Sequence, residues 1–409
     1  MYRGFPARNI RDQDSRVTTW YGVSARAYKA QIAILHWNFM KELLKKLIEA
    51  ESTESAGELA AAEVISAEFA KFGIKSVIDK WDKNRANVTA HIKSTGKKPA
   101  LLFACHLDVV GPGQASWKTP PFSAVESDGK IFGRGSTDMK GGTAANISAI
   151  CEIVKSGVEL QGDIIFTAVA GEETDSCGAG RFVSNLNPRP ECQGVIIPEP
   201  TNFSIVSAHR GILWLKITTK GKTAHGSMPQ LGVNAITSMR RFLNELDDYN
   251  ITSKKHDLLG TCSMSVNTIS GGKTMNAVPD KCVCTIDIRT IPEVNHDDII
   301  ADFRKIFEKL RARYPEFDAE ISIYREVHSL ETDRKSEFVR NFCSCLGIEK
   351  TVPVVFTTDG PQFISLGVPI LIFGPGKPEI CHKPDEFIEI ADLEKAVQCY
   401  KNIITYFLI

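Results

Sequence analysis

The chain has 409 residues, of which 43% are hydrophobic and 24% are charged, a composition typical of a soluble globular protein. This length exceeds that of a usual single domain and predicts about two domains. Acidic and basic residues number 49 each, so no excess of positive charge favours nucleic acid or an anionic membrane surface as the partner.

The first 30 or so residues are polar and irregular, and they lack the apolar core of a signal peptide. A helical pattern follows from Tyr28 to about Phe72. Beyond it, continuous apolar runs alternate with helical segments. The predicted strands cover residues 100–108, 163–173, 194–200, 352–356 and 368–376, and a helix covers 143–157. This alternation predicts an α/β domain with a mostly parallel sheet and helices on both faces.

The stretch between the third and fourth of these strands has a different pattern. Predicted elements there are a strand at 211–221, a helix at 234–249, strands at 262–272 and 280–292, a helix at 296–315 and a strand at 319–329. The order β-α-β-β-α-β is that of the ferredoxin-like split motif. We therefore expect an inserted lid domain over 209–329, and a catalytic domain made of 1–208 and 330–409.

Polar side chains follow four of the predicted strands of the larger domain. They are His106 and Asp108 after the first strand, Glu172 and Glu173 after the second, Glu199 after the third, and His382 shortly after the last. Asp138 lies in the glycine-rich loop "GRGSTDMKGG" before a helix. Ligands of open parallel sheets bind at the carboxyl ends of the strands, so these residues are expected to meet there.

This group has the composition of a divalent metal site. Two imidazoles and three carboxylates without sulfur suit Zn²⁺, with Co²⁺ or Mn²⁺ as substitutes; the predicted ligands are His106, Asp138, Glu173, Glu199 and His382. Five ligands exceed the usual three of one catalytic zinc. If Asp138 bridges, two ions receive three protein ligands each. Each motif taken alone is weak, and the prediction depends on their joint position.

Two further carboxylates have predicted roles around the ions. Asp108 lies two residues after His106, on the same face of an extended chain, and can hold the second ring nitrogen of that histidine. Glu172 and Glu173 are adjacent and point in different directions. Glu173 can therefore bind metal while Glu172 acts as the general acid and base on the attacking water. His36, His91, His256 and His296 have no such setting and are expected to be surface or structural.

The motifs together resemble those of the M20 zinc metallopeptidases. The matching stretches are "ACHLDVVGPG", "DGKIFGRGSTDMKGG", "AGEETDSCGAG" and "PEPT", and the resemblance extends from about Lys41 to the C-terminus. The family includes acetylornithine deacetylase, succinyl-diaminopimelate desuccinylase, aminoacylase and glutamate carboxypeptidase. The resemblance implies one ion held by His106, Asp138 and Glu199, and a second held by Asp138, Glu173 and His382. It also implies a cis peptide bond between Asp138 and Met139.

Further roles are implied by the same resemblance. His225, in "GKTAHGSMPQLGVNAI", would reach the active site of a partner subunit and stabilise the oxyanion, which makes a homodimer through the lid domain the expected assembly. Arg289 would bind a substrate carboxylate. Asn276, Thr358 and Gly374 would contact substrate.

We therefore predict a di-zinc hydrolase that cleaves the amide bond of an N-acyl amino acid, as acetylornithine deacetylase and succinyl-diaminopimelate desuccinylase do. The alternatives are a carboxypeptidase or dipeptidase of the same fold, a single-zinc aminopeptidase, and a non-catalytic metal-binding homologue. Eleven cysteines without a repeating spacing favour reduced thiols in a cytoplasm. No apolar stretch reaches the roughly 20 residues that a membrane span needs.

Overall fold

The computed structural model describes residues 38–409. The predicted N-terminal extension, and residues 28–37 of the predicted helical pattern, lie outside this range. The helices are α1 (residues 38–49), α2 (Leu59–Ala70), α3 (Lys140–Ser156), α4 (Cys177–Asn185), α5 (Ala235–Leu246), α6 (His296–Arg313), α7 (Glu337–Leu346) and α8 (Ile390–Leu408).

Sixteen strands accompany these helices within residues 38–409. They are β1 (Ser76–Trp81), β2 (Arg85–Ile92), β3 (Lys98–His106), β4 (Val125–Ser127), β5 (Lys130–Phe132), β6 (Gly162–Val169), β7 (Cys192–Ile197), β8 (Val206–His209), β9 (Gly211–Lys220), β10 (Ser263–Gly271), β11 (Lys281–Thr290), β12 (Asp318–Val327), β13 (Leu330–Glu331), β14 (Val352–Val354), β15 (Ile370–Ile372) and β16 (Phe387–Glu389). No helix among the described residues is long and apolar enough to cross a membrane.

A nine-stranded sheet forms the centre of the molecule, in the order β1-β2-β6-β3-β7-β15-β8-β13 with β14 beside β8. Strands β6, β3, β7 and β15 run parallel, as their apolar sequences predict. Antiparallel strands occupy the margins, including the hairpin of β1 and β2. The predicted α/β class with a mostly parallel central sheet is confirmed, and the antiparallel margins are an addition to it.

Helices cover both faces of this sheet because its central strands are apolar on both sides. Leu101 and Phe103 of β3 pack into a core with α1, α2, α3, α7 and α8. Their neighbours Leu102 and Ala104 pack on the opposite face, into a core that includes Phe182 of α4. A continuous apolar strand is the expected sequence for such a doubly covered position. The functional residues are consequently left at the strand ends.

The segment between β8 and β13 folds into its own four-stranded antiparallel sheet, in the order β10-β11-β9-β12. Its elements follow the predicted order β-α-β-β-α-β. Inward-facing side chains of β9 and β11, such as Leu213, Leu215 and Ile286, form a separate core with Phe242 of α5 and Phe303 of α6. The strands that lead into and out of this segment pair with each other, Leu330 opposite His209. We refer to this segment as the lid.

Candidate active site

Three predicted ligands meet at the carboxyl ends of β3 and β7. His106 is the last residue of β3, and its Nε2 lies 3.2 Å from Oδ1 of Asp138 and 3.5 Å from Oε1 of Glu199. His106 and Glu199 are buried. One ligand atom from each of the three residues lies within 4.8 Å of the other two, which is close enough for all three to bind one ion.

A second group shares Asp138 with the first. Nε2 of His382 lies 2.9 Å from Oε1 of Glu173 and 3.2 Å from Oδ2 of Asp138. The two oxygens of Asp138 therefore face different histidines, Oδ1 toward His106 and Oδ2 toward His382. This is the arrangement expected of a carboxylate that bridges two cations. The Asp138–Met139 peptide bond is cis, as the resemblance implied.

The electrostatics of the cluster suit bound cations. Burial raises the pKa of Glu199 well above its usual range, and it also raises that of Glu173. Hydrogen bonds with Asp138 and Glu173 raise the pKa of His382 to about 10. Crowded carboxylates hold protons tightly when no other positive charge is near. Divalent cations would take the place of these protons, and the mixed nitrogen and oxygen donors fit zinc.

Asp108 organises the loop that follows β6. Its Oδ1 accepts hydrogen bonds from the backbone N–H groups of Gly171 (2.9 Å) and Glu172 (3.1 Å), and its Oδ2 accepts one from Glu173 (2.9 Å). Nδ1 of His106 lies 2.9 Å from the main-chain oxygen of Asp108 and 3.6 Å from Oδ1. The expected support of the histidine is thus given mainly by the backbone, while the carboxylate holds the glutamate loop.

Glu172 lies beside the cluster, at the wall of a cavity of about 510 Å³. Its side chain is 8% exposed, and burial raises its pKa well above the usual range. One oxygen of Glu172 also lies within 4.8 Å of a ligand atom of His106 and of Glu173. A buried carboxyl of this kind at the cavity wall is well placed for proton transfer.

A buried ion pair behind Asp138 could not be anticipated from the sequence. Nη1 of Arg134 lies 2.6 Å from Oε2 of Glu386, and the other oxygen of Glu386 accepts hydrogen bonds from the backbone N–H groups of Thr137 (2.9 Å) and Asp138 (3.1 Å). Both charged side chains are buried. Arg134 lies in the motif "DGKIFGRGSTDMKGG", but 252 positions separate it from Glu386, so no local pattern links the two residues.

The lid sheet closes the other side of the cavity. The helices of the lid cover one face of this sheet, and the opposite face contributes Trp214, Arg289 and Arg325 to the cavity wall. Arg289 therefore lies where a substrate carboxylate could reach it. In this structure its guanidinium is held by Asp287, with Nε to Oδ1 at 2.8 Å and Nη2 to Oδ2 at 3.0 Å. Asp287 and a substrate carboxylate would therefore compete for the same guanidinium.

Arg325 is a cavity residue that sequence reasoning missed. Its Nη2 donates to the main-chain oxygen of Glu172 at 2.7 Å, which connects the lid directly to the loop of the acid/base candidate. The register of β12 against β9 shifts between Ile323 and Arg325. Before the shift Ala319 packs into the lid core, whereas after it Arg325 pairs with Trp214 and lies over its ring. A bulge reverses the alternation of a strand, and no sequence pattern announced it.

His225 and Asn276 lie together on the lid, outside the wall of this cavity. Both are exposed, and the N–H of Gly226 donates to the main-chain oxygen of Asn276 at 2.8 Å. Nδ1 of His225 lies 2.7 Å from the hydroxyl of Ser227. The described residues that line the cavity include neither of them. The predicted catalytic role of His225 and the predicted substrate contact of Asn276 therefore require a second subunit.

Thr358 and Gly374 have structural surroundings that argue against direct substrate contact. Thr358 is 1% exposed, and its Oγ1 lies 3.2 Å from Nε2 of His209. The preceding residues Phe356 and Thr357 line the cavity instead. Gly374 is packed under the segment of Glu199, and an added Cβ would lie 2.5 Å from the oxygen of Pro198. Its requirement for glycine comes from this close approach of two backbones.

The strand ends of this α/β fold bring together two histidines and several buried carboxylates beneath the lid. This arrangement defines a class of metal-dependent hydrolases. The chain belongs to peptidase family M20/M25/M40, whose model matches residues 102–406. The predicted family is thereby confirmed, and the expectation of a hydrolase with it.

Named relatives extend this result. A protein of Staphylococcus aureus (strain N315), named as a probable succinyl-diaminopimelate desuccinylase, is 31% identical over 403 residues, which cover 90% of this chain and 97% of that protein. An acetylornithine deacetylase of Proteus mirabilis (strain HI4320) is 31% identical over 312 residues, covering 75% and 79%.

Solved structures share the fold at lower identity. An M20 family metallo-carboxypeptidase from Sulfolobus solfataricus has a TM-score of 0.75 at 20% identity, and covers 91% of this chain and 99% of its own. A dinuclear metal-binding peptidase of the M20 family from Bacillus subtilis has a TM-score of 0.68 at 16% identity, with coverage of 91% and 99%.

Proposed function

We propose that this protein is a metal-dependent amidohydrolase that removes the acyl group from an N-acyl amino acid. The observation that supports this most directly is the position of Asp138, whose two carboxylate oxygens each lie 3.2 Å from a different histidine. A cluster built on a shared carboxylate beside a buried glutamate suits hydrolysis of an amide.

We propose a pair of zinc ions as the cofactor, with Co²⁺ or Mn²⁺ as possible substitutes. His106, Asp138 and Glu199 would hold one ion, and Asp138, Glu173 and His382 the other. When bound, such ions polarise an amide carbonyl and lower the pKa of water. The nitrogen and oxygen donors of the described residues fit zinc. The dinuclear metal-binding relative from Bacillus subtilis supports a count of two ions.

Within this site Glu172 is proposed to move the proton. Its carboxylate would accept a proton from the attacking water and then deliver it to the departing nitrogen. Asp108 holds the backbone of the loop through three hydrogen bonds, and Arg325 holds the carbonyl of Glu172 from the lid. These contacts hold the backbone of Glu172 in place, which limits the positions that its carboxylate can reach.

The lid face suggests an anionic substrate. Arg289 and Arg325 both line the cavity opposite the metal-type cluster, and Asp287 offsets only one of the two charges. An N-acyl amino acid presents one carboxylate, and a succinyl group adds a second. We therefore favour desuccinylation over deacetylation, in agreement with the name of the relative from Staphylococcus aureus. A carboxypeptidase or dipeptidase activity is the second candidate, because solved relatives of this fold include a metallo-carboxypeptidase.

A substrate panel on the zinc-loaded protein tests this proposal. N-succinyl-diaminopimelate, N-acetylornithine and simple dipeptides would be compared by kcat/KM, and each reaction repeated with a chelator. We expect the succinyl substrate to react fastest and the chelator to abolish turnover. Faster dipeptide cleavage would favour the peptidase alternative, and full turnover after complete metal removal would contradict the proposed chemistry.

We also propose that the protein works as a homodimer through the lid, with lid boundaries near residues 209 and 329 that act as a hinge. β10 is an edge strand of the lid sheet, and its Val266 and Ile269 are 40% and 57% exposed. An exposed apolar edge strand is a ready surface for pairing with another chain.

We also propose a cytoplasmic location, which the odd number of cysteines supports.

Mixing two inactive variants tests whether His225 acts across a dimer. His225→Ala and Glu172→Gln chains, unfolded and refolded together, should recover about a quarter of the wild-type activity, because half of the dimers are mixed and each has one complete site. Each variant refolded alone is the control. If mixing restores nothing while native mass spectrometry shows mixed dimers, His225 does not act in the partner's site.

Replacement of Arg325 should weaken catalysis without loss of metal. Arg325→Met removes the hydrogen bond to the carbonyl of Glu172, and we expect kcat/KM to fall about 10- to 100-fold, the equivalent of one charged hydrogen bond. Arg325→Lys should restore part of the loss. Arg304→Met, at an exposed position of α6, is the matched control. A kcat/KM equal to that of the wild type would remove Arg325 from the positioning of Glu172.

A further inference from the structure

A further group of side chains that could hold a metal ion lies in the lid, away from the cluster around Asp138. His296 is the first residue of α6, and its Nδ1 lies 2.8 Å from Oε1 of Glu326 on β12. The ring of His328, just after β12, stacks on that of His296 with centroids 4.8 Å apart and planes at 26°. One donor atom from each of the three residues lies within 4.8 Å of the other two.

This group and the active site lie on opposite faces of the lid sheet. Adjacent residues of a strand point to opposite faces, so Arg325 extends toward the catalytic cavity while Glu326 reaches the helix-covered side and contacts His296. The group is therefore distinct from the ligands around Asp138. His328 lies where the chain leaves the lid, two residues before β13 begins at Leu330.

The surroundings of His296 resemble the support that metal-binding histidines usually have. Nε2 of His296 lies 2.8 Å from the hydroxyl of the buried Thr290, which fixes the ring and turns Nδ1 toward Glu326. His296 is 1% exposed, and its Nδ1 already faces a carboxylate oxygen of Glu326 at 2.8 Å; a metal ion bound between these two atoms would displace the proton they share. Asp297 and Asp298 in the first turn offset the positive end of the helix dipole.

The chemistry of the three donors selects the class of ligand. Two imidazoles and one carboxylate form a zinc-type set, which leaves a fourth position for water. His328 is exposed, so an ion can enter from solvent and complete its coordination there. We propose that His296, Glu326 and His328 form a third binding site, for a divalent transition-metal ion of the Zn²⁺ type. The ion would fasten the start of α6 to the strand that returns to the central sheet.

Counting bound zinc tests this site without reference to turnover. Full-length wild-type protein, His328→Ala and Glu326→Gln would be equilibrated at one buffered free Zn²⁺ concentration and analysed for metal per chain. His91→Ala is the matched control, since His91 is half-exposed and paired with a carboxylate, Asp163. We expect the wild type and this control to bind about one Zn²⁺ per chain more than either lid variant.

The count in an Asp138→Ala background isolates the lid ion from the catalytic ones. There the difference between proteins with and without His328 should remain about one Zn²⁺ per chain. Equal zinc counts in the wild type and in both lid variants would overturn the site, as would an equal loss in His91→Ala. Glu326→Gln preserves the shape of the side chain. If circular dichroism shows that His328→Ala folds poorly, the zinc count of Glu326→Gln tests the site by itself.

Discussion

Glu172→Gln should retain its metal and lose turnover by about 10²- to 10⁴-fold, the usual contribution of a general acid and base. Glutamine preserves the size of the side chain and the hydrogen bond from Arg325 to the main-chain oxygen, but it cannot accept and return a proton. Fixed-time assays on zinc-loaded protein measure the loss of kcat, and metal analysis measures the zinc that the variant retains.

The neighbouring residue provides the matched control for this variant. Glu173→Gln removes a predicted ligand whose Oε1 lies 2.9 Å from Nε2 of His382, so it should lower the metal content as well as the activity. The two adjacent carboxylates would thus be distinguished by what each variant retains. Unchanged turnover in Glu172→Gln would refute the acid/base assignment, and loss of zinc in that variant would make Glu172 a ligand instead.

Glu386→Ala should destabilise the protein by about 3–5 kcal/mol, the typical effect of removing one member of a buried ion pair. The substitution leaves the buried guanidinium of Arg134 without its carboxylate, and it leaves the N–H groups of Thr137 and Asp138 without an acceptor. Because these groups hold the loop of Asp138, metal affinity should fall as well. Urea unfolding of the apo- and zinc-loaded protein measures both effects.

An exposed ion pair of the lid is the control for this experiment. Lys220 and Glu320 lie 2.6 Å apart, and both side chains are about half-exposed, so Glu320→Ala should change the free energy of unfolding by at most about 1 kcal/mol. The double variant Arg134→Met/Glu386→Met should be more stable than Glu386→Ala, since no buried charge is left alone. A Glu386→Ala protein as stable as Glu320→Ala would show that the pair does not hold this loop.

The local sequence pattern was sufficient to predict most helices and strands of the fold. The strands that lead to His106, Glu172 and Glu199 were predicted because an apolar run followed by polar residues is typical of a central strand and its carboxyl end in a parallel sheet. The lid order β-α-β-β-α-β followed from the change between helical and alternating periodicity. The hairpin of β1 and β2 and the short sheet of β4, β5 and β16 were not predicted, since their apolar patterns are weak.

The family was thus determined by the motifs of the sequence alone. The sequence pattern also predicted that the proposed ligands would lie together, because polar side chains that follow parallel strands meet at one edge of the sheet. Other features depend on where distant segments meet. Three such features are the pairing of Arg134 with Glu386, the position of Thr358 outside the cavity wall and the cluster around His296. They arise from contacts between residues 30 to 252 positions apart. The orientation of Arg325 depends on one bulge in β12. Only tertiary packing decides such features, because the energy that selects them comes from neighbours that are remote in the chain.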